Sequence, residues 1–274
     1  MPNPNSPDTT TADDTERETS DAAAGPVARS PIHQIGPTSV VDGWEVSQRN
    51  SKAALRLADW TCAAKVAVRA AADSATAHAL GVPFRRAAWR GRPENPVLVV
   101  GSGPGEWFLI GLPGTAAGLM DVAMARSTTP AAKSARRGTN PEIGRNEQGL
   151  VSVVDLTHGR ALVRMTGSAS AKTLAKVCPI DLRDRTTPDG TAFRSTVGRL
   201  TVDVVRDDVA AASRPGSTTT APTPVLPSYQ VRSYLLHCER STGQHLFDLL
   251  LDAGAEFQID IDGFRFEPNG SSRP

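Results

Sequence analysis

Val151-Ser-Val-Val-Asp-Leu-Thr-His-Gly-Arg-Ala-Leu-Val-Arg-Met-Thr-Gly-Ser-Ala-Ser-Ala-Lys-Thr-Leu-Ala-Lys-Val-Cys-Pro-Ile-Asp-Leu182 reads as strand, turn, strand and helix, with an exit marked by proline. Ala161, Val163 and Met165 alternate with Leu162, Arg164 and Thr166, which places one apolar set on a single strand face. Ser168 fits the N-cap of a helix over Ala169–Val177. Downstream, Phe193–Val197 and Leu200–Val205 pair across Gly198-Arg199, and Tyr229–Cys238 gives a further strand. Ser241 is then expected to cap a helix in which Leu246, Leu249, Leu250 and Ala253 recur at i, i+3, i+4 and i+7. This second part spans about 149–264. Strands joined by tight turns, with helices on one face, predict an α+β fold, and a doubly wound parallel sheet fits them poorly.

The first folded part is expected over 46–126. Leu55–Arg69 reads as strand, turn and strand, and Asp73–Leu80 as a short helix stopped by Gly81 and Pro83. Val97–Val100 and Trp107–Ile110 flank Gly101-Ser-Gly-Pro-Gly105 as a hairpin, and Thr115–Arg126 is Ala/Met/Leu-rich and helical in pattern. Polar stretches separate and bound these parts. Residues 1–45 are rich in Ser, Thr, Asp, Pro and Ala and are expected to form a disordered tail. A flexible linker is expected over 127–148, a Pro/Thr-rich exposed insert within a hairpin connection over 211–228, and a disordered end over 265–274.

The 274 residues carry a net charge of +1, unevenly distributed. Residues 1–30 hold six acids and two bases, a net −4. The remainder is only mildly basic and its basic residues do not interleave with aromatics, so no nucleic-acid partner is expected. Cys62, Cys178 and Cys238 are far apart and show no C-x-x-C spacing, against a disulfide framework or zinc ribbon. No apolar run approaches the ~20 residues of a membrane span, and the start lacks a signal-peptide layout. The expectation is a soluble, reduced, cytoplasmic protein with no membrane partner.

Each candidate for chemistry has a structural counterpart. Gly101–Gly105 could cradle a phosphate, but a strand-like Glu106-Trp-Phe-Leu-Ile follows in place of a helix, and no lysine follows, so a turn is favoured. Asp155 and His158 could support acid–base work, yet Asp155 and Thr157 are also what a turn into the next strand requires. His237 and Cys238 are strand neighbours that point to opposite faces and cannot easily pair as base and nucleophile; a half-exposed His and a buried Cys are expected. The five histidines show no metal-ligand spacing, and His245 is expected at the surface. Asp203, Asp207 and Asp208 read as a solvated strand end. The tryptophans at 44, 60, 89 and 107 fit either a protein interface or core packing. No catalytic, cofactor-binding or metal-ligating residue is expected.

Several segments resemble the gamma subunit of heterotetrameric sarcosine oxidase, in the wider group that contains the glycine-cleavage T-protein. They are Val154-Asp-Leu-Thr-His158 with Gly159–Gly167, Leu174-Ala-Lys-Val-Cys-Pro-Ile-Asp-Leu182, Arg194 with Val197-Gly-Arg199, and Ser233-Tyr-Leu-Leu-His-Cys-Glu-Arg-Ser241. Gly103-Pro-Gly-Glu-Trp-Phe-Leu109, Leu57-Ala-Asp-Trp-Thr61 and Lys65-Val-Ala-Val68 add to them, so that the likeness covers most of 50–260. The long tail, the two inserts and Gly105 in place of the usual acid depart from the pattern. The resemblance implies two T-protein-like α+β subdomains and a structural role in an alpha-beta-gamma-delta assembly that oxidatively demethylates sarcosine to glycine with tetrahydrofolate and oxygen. It further implies that FAD, FMN, NAD, tetrahydrofolate and zinc belong to the alpha, beta and delta partners, and that this chain binds none. Trp107, Asp155, Thr157, His158 and Arg240 are the expected docking residues, as strand ends sharing an edge of the fold. Two alternatives are a stand-alone folate-binding protein of the T-protein group and a non-catalytic interaction protein unrelated to amine oxidation.

Overall fold

The computed structural model describes residues 25–128, 150–210 and 230–266. The expected linker 127–148 and insert 211–228 fall almost wholly outside these residues, as do residues 1–24 and 267–274. In chain order the elements are β1 (Thr38–Val41), β2 (Trp44–Ser47), β3 (Leu55–Asp59), β4 (Ala64–Arg69), α1 (Ala75–Leu80), β5 (Ala87–Arg92), β6 (Asn95–Gly103), β7 (Glu106–Gly111) and α2 (Ala116–Thr128). There follow β8 (Ser152–Asp155), β9 (Arg160–Gly167), α3 (Ser170–Ala175), β10 (Ala192–Val197), β11 (Leu200–Arg206), β12 (Val209–Ala210), β13 (Gln230–Val231), β14 (Ser233–Glu239), α4 (Gly243–Gly254) and β15 (Asp260–Asp262).

Two sheets carry the fold. One has the order β5-β6-β7-β4-β8 and the other β10-β11-β14-β9-β3-β15. Every pairing is antiparallel except β15 against β3. The alternation read from β9 is what layers them. Ala161, Val163 and Met165 face α3 and α4 in one core with Leu174, Leu246 and Leu250. Leu162 faces the other way, into a seam shared with Leu98, Val100, Phe108 and Ile110 of the smaller sheet. The far side of that sheet packs Val66, Val68 and Leu109 against α1 and α2 through Leu80 and Leu119. The result is four layers, helix–sheet–sheet–helix, an α+β architecture as expected.

The two sheets are not divided between the two halves of the sequence. β3 belongs to the larger sheet and β4 to the smaller, while β8 belongs to the smaller and β9 to the larger. Each pair is joined by a short turn, closed by Ala63 N–H on Trp60 O at 3.0 Å and by Gly159 N–H on Leu156 O at 2.9 Å. The two crossings lie side by side. Leu156 N–H donates to Lys65 O at 2.8 Å, and Thr61 Oγ accepts from Leu162 N–H at 3.2 Å. The boundary at 149 is therefore a boundary in sequence only.

The expected tail is corrected from residue 25 onward. Ile32 is buried in the α4 core, and the β1–β2 hairpin seats Trp44 and Val46 against Cys62. Asp42 and Gly43 both adopt positive φ, 45° and 77°, which is the backbone of a two-residue hairpin turn. At the other end, Phe266 stacks on Trp60 with ring centroids 5.2 Å apart, so order extends past 264.

Two helix starts also differ from expectation. α3 begins at Ser170 after Ala169, and Ser168 makes no cap. α4 is entered through a 3-10 turn at Arg240–Thr242, so Ser241 lies inside that turn and not at a cap. Leu246, Leu250 and Ala253 are buried as the spacing predicts, and Leu249 is half-buried. Gly81 ends α1 in the left-handed region, as read, and Ser74 caps its start. Among the described residues no helix is long and apolar enough to cross a membrane.

Candidate functional site

Of the five expected docking residues, the structure brings four to one edge. Asp155 ends β8, the outer strand of the smaller sheet, and its carboxylate accepts from Thr157 N–H at 2.8 Å to shape the turn into β9. His158, on the same turn, is exposed and lies flat on Trp44 at 4.6 Å between centroids. Arg240 N–H donates to Gly159 O at 3.1 Å, and its guanidinium donates to Arg29 O. Thr157 is buried there, its hydroxyl accepting from Lys65 N–H at 3.0 Å, so it holds the crossing together and offers no contact surface. Trp107 is elsewhere: it is 7% exposed in the helix-side core, with its indole N–H on Val82 O at 2.7 Å. A side chain so enclosed cannot dock a partner. Trp44 and Trp60 are buried as well, and Trp89 is half-buried, so the tryptophans serve packing.

Reactive side chains are locked inside. The three cysteines are free and buried, and burial pushes the Cys62 and Cys238 thiols up, away from the thiolate a nucleophile needs. Lys65 is fully enclosed in the seam and donates to Thr61 O at 2.6 Å and Ala63 O at 2.7 Å. Burial lowers its pKa to about 8. That value suits an amine nucleophile, but Nζ has no path to a substrate. Among the described residues no three His, Cys, Asp or Glu side chains gather as a metal site requires.

His237 was expected half-exposed and is 3% exposed. It stacks on Phe108 at 4.3 Å, its Nε2 lies 3.5 Å from Asp203, and neither ring nitrogen has a hydrogen-bond partner. Burial outweighs the attraction of Asp203, with Arg160, Arg194 and Lys65 adding repulsion, and lowers its pKa to about 4. The folded chain thus keeps His237 neutral where the unfolded chain, near pH 6.5, already takes up the proton. Stability is expected to fall as pH drops from 6.5 towards 4 by up to about 3 kcal/mol, and to level off below that. Denaturant unfolding across this range checks it: His237→Phe should flatten the dependence, and an unchanged slope would contradict it.

The carboxylates read as a solvated strand end are instead buried ion-pair partners, which sequence reasoning missed. Asp203 holds Arg194 at 2.7 and 3.0 Å. Asp208 holds Arg206 at 2.8 Å, and Asp207 pairs with Arg164 while accepting the Trp89 indole N–H at 2.8 Å. Arg164 lies over the Trp60 ring, 4.4 Å from its centroid, and donates to Ser233 at 3.1 Å. One signal could have found them. Arg164 and Arg206 sit on buried strand positions, and a charge that faces a core needs a partner.

No protein-family model matches the chain, and no curated protein matches it in sequence. Among solved structures, it is similar to a chain of the heterotetrameric sarcosine oxidase from Corynebacterium sp. U-96 in complex with pyrrole 2-carboxylate. The two are 21% identical with a TM-score of 0.51, over 77% of this chain and 88% of that one. It is also similar to the glycine cleavage system aminomethyltransferase T from Bartonella henselae, 12% identical with a TM-score of 0.53, over 83% of this chain and 55% of the other. The chain therefore spans about half the length of the aminomethyltransferase. The likeness shows a T-protein-like fold.

Proposed function

We propose that the chain is the gamma subunit of a heterotetrameric sarcosine oxidase, a structural partner of alpha, beta and delta subunits that carries no cofactor of its own. FAD, FMN, NAD, tetrahydrofolate and zinc would then reside in the partners. What supports this most is length: the chain accounts for nearly all of the sarcosine oxidase chain it resembles and only about half of the aminomethyltransferase. Ordered motifs such as Val154–His158 and Leu174–Leu182 point the same way. So does the interior, where the two thiols, the amine and the imidazole described above are enclosed and held in unreactive surroundings.

The docking face under this proposal is the β8 edge, with Asp155, His158 and Arg240. Val154 beside them is 46% exposed, an apolar side chain on an open strand edge. Thr157 and Trp107 are withdrawn as contact residues because both are buried. Co-expression of the tagged chain with alpha, beta and delta subunits should recover all four together. Val154→Lys should lower that recovery about tenfold, the loss of one well-packed contact, without altering the unfolding midpoint. A chain that stays free while active oxidase assembles without it would refute the proposal. Tight folate binding by the chain alone would favour a stand-alone folate-binding protein.

A further inference from the structure

A hollow of about 80 Å³ opens on the seam side of the larger sheet, beyond the reach of the smaller one. That is several times the room one water needs. It is lined by Arg56, Arg164, Arg265 and Asp262 and by the apolar Trp60, Ala58 and Val209. The charges in and behind this lining do not balance. Arg164 is offset by Asp207, and Asp262 faces both Arg56 and Arg265. Asp260, next along, is taken by Arg49. One positive charge is left over.

The hydrogen bonds are incomplete at the same place. Asp262 Oδ1 accepts from Ser51 N–H, Gly263 N–H and Arg265, each at 3.0 Å. Arg56 reaches Asp262 Oδ2 only at 3.7 Å, an ion pair beyond hydrogen-bond distance. Arg164 spends its two terminal nitrogens on Ser233 and Asp207, and its Nε–H is buried without a partner. That nitrogen is closed off, so an occupant of the hollow meets Arg56 and not the Arg164 Nε–H. Arg56, held only by that long ion pair, gains a charged hydrogen bond when an acceptor enters the hollow.

We propose that this hollow binds the carboxylate of a short-chain organic acid, its oxygens on Arg56 and its carbon chain against Trp60, Ala58 and Val209. A monoanion matches the single surplus charge. The hollow's size admits only a few heavy atoms, and the apolar wall offers nothing to the further oxygens of a phosphate. The binding is independent of the subunit role proposed above, because it is read on the chain alone.

The test is calorimetric titration of the full-length chain with sodium propionate, against sodium chloride of equal ionic strength and against inorganic phosphate. Saturable binding of propionate is expected. Arg56→Gln should weaken it about tenfold, the effect of losing a charged hydrogen-bond donor, with the unfolding midpoint unchanged, since Arg56 is half-exposed and loosely paired. Arg164→Gln is less informative because that residue also supports the fold. No saturable heat, equal affinity in the Arg56 variant, or phosphate binding as tight as propionate would each overturn the proposal. In a co-purified complex, retained propionate marks a free acid as the occupant. Propionate released on assembly marks a partner's carboxylate side chain with the same chemistry.

Discussion

Asp207→Ala should destabilise the chain by about 4 kcal/mol, in the range measured when one member of a buried ion pair is removed. Asp207 and Arg164 are each only about 6% exposed as side chains. Without the carboxylate, the Arg164 charge stays in the seam with only the Trp60 ring and Ser233 to stabilise it. The Trp89 indole N–H loses its acceptor at the same time. Replacing both partners by apolar residues, Arg164→Met with Asp207→Leu, should recover most of the loss, because the cost lies in the uncompensated charge and not in the missing attraction. Equilibrium urea unfolding of the three variants decides it. A loss below about 1 kcal/mol for Asp207→Ala would mean that water reaches the pair.

Gly167→Ala should cost at least about 3 kcal/mol, more than ordinary overpacking, because two penalties coincide. Gly167 ends β9 with φ of +146°, a region L side chains rarely adopt. A methyl placed there would lie 2.2 Å from Ala54 O and 2.8 Å from Leu55 Cα. Both atoms are backbone of the neighbouring strand, which pairs Leu55 with Gly167, so neither can swing aside. Gly118 is the contrast. It lies within α2 with nothing inside 4 Å of an added methyl. Gly118→Ala should raise stability by about 0.8 kcal/mol, the helix-propensity difference alone. Chemical unfolding of both variants should show shifts of opposite sign; a mild Gly167→Ala would place the β3–β9 junction in a looser geometry than described.

Much of the fold was legible because local pattern and tertiary role agree. The alternation along Arg160–Gly167 separates the helix-side core from the seam, and the spacing of Leu246, Leu250 and Ala253 gives the buried face of α4. Gly198 turns the β10–β11 hairpin with φ of 59°, as Gly198-Arg199 suggested. Sheet membership was not legible. A four-residue turn such as Trp60–Ala63 looks alike in sequence whether the next strand returns beside the first or crosses to another sheet, and only long-range pairing such as β3 with β9 decides. Folding of residues 25–45 was missed because polar composition outweighed Asp42-Gly43, a two-residue turn signal flanked by Val40, Val41, Trp44 and Val46.

The site was less legible still. Asp155, His158 and Arg240 share an edge because a turn and a strand end meet there, which sequence proximity within 155–158 half reveals. Trp107 was misplaced because an indole on a strand has the same sequence whether its face meets helices or solvent. The acids at 203, 207 and 208 looked solvated because charged residues rarely lie buried, and their arginine partners lie up to 43 positions away in the chain. Charge on an inward-facing position of an apolar strand is the signal that was available, and Arg164 between Val163 and Met165 carries it.

On the proposed reading, this chain contributes surface and not reactive groups to an enzyme assembled from its partners. The most direct test is oxygen consumption and glycine formation by the purified full-length chain, given sarcosine and tetrahydrofolate with no other subunit present. No turnover is expected from the chain alone, and turnover is expected once alpha, beta and delta subunits are co-purified with it. Sustained turnover of the amine or of the folate by the chain alone would contradict it.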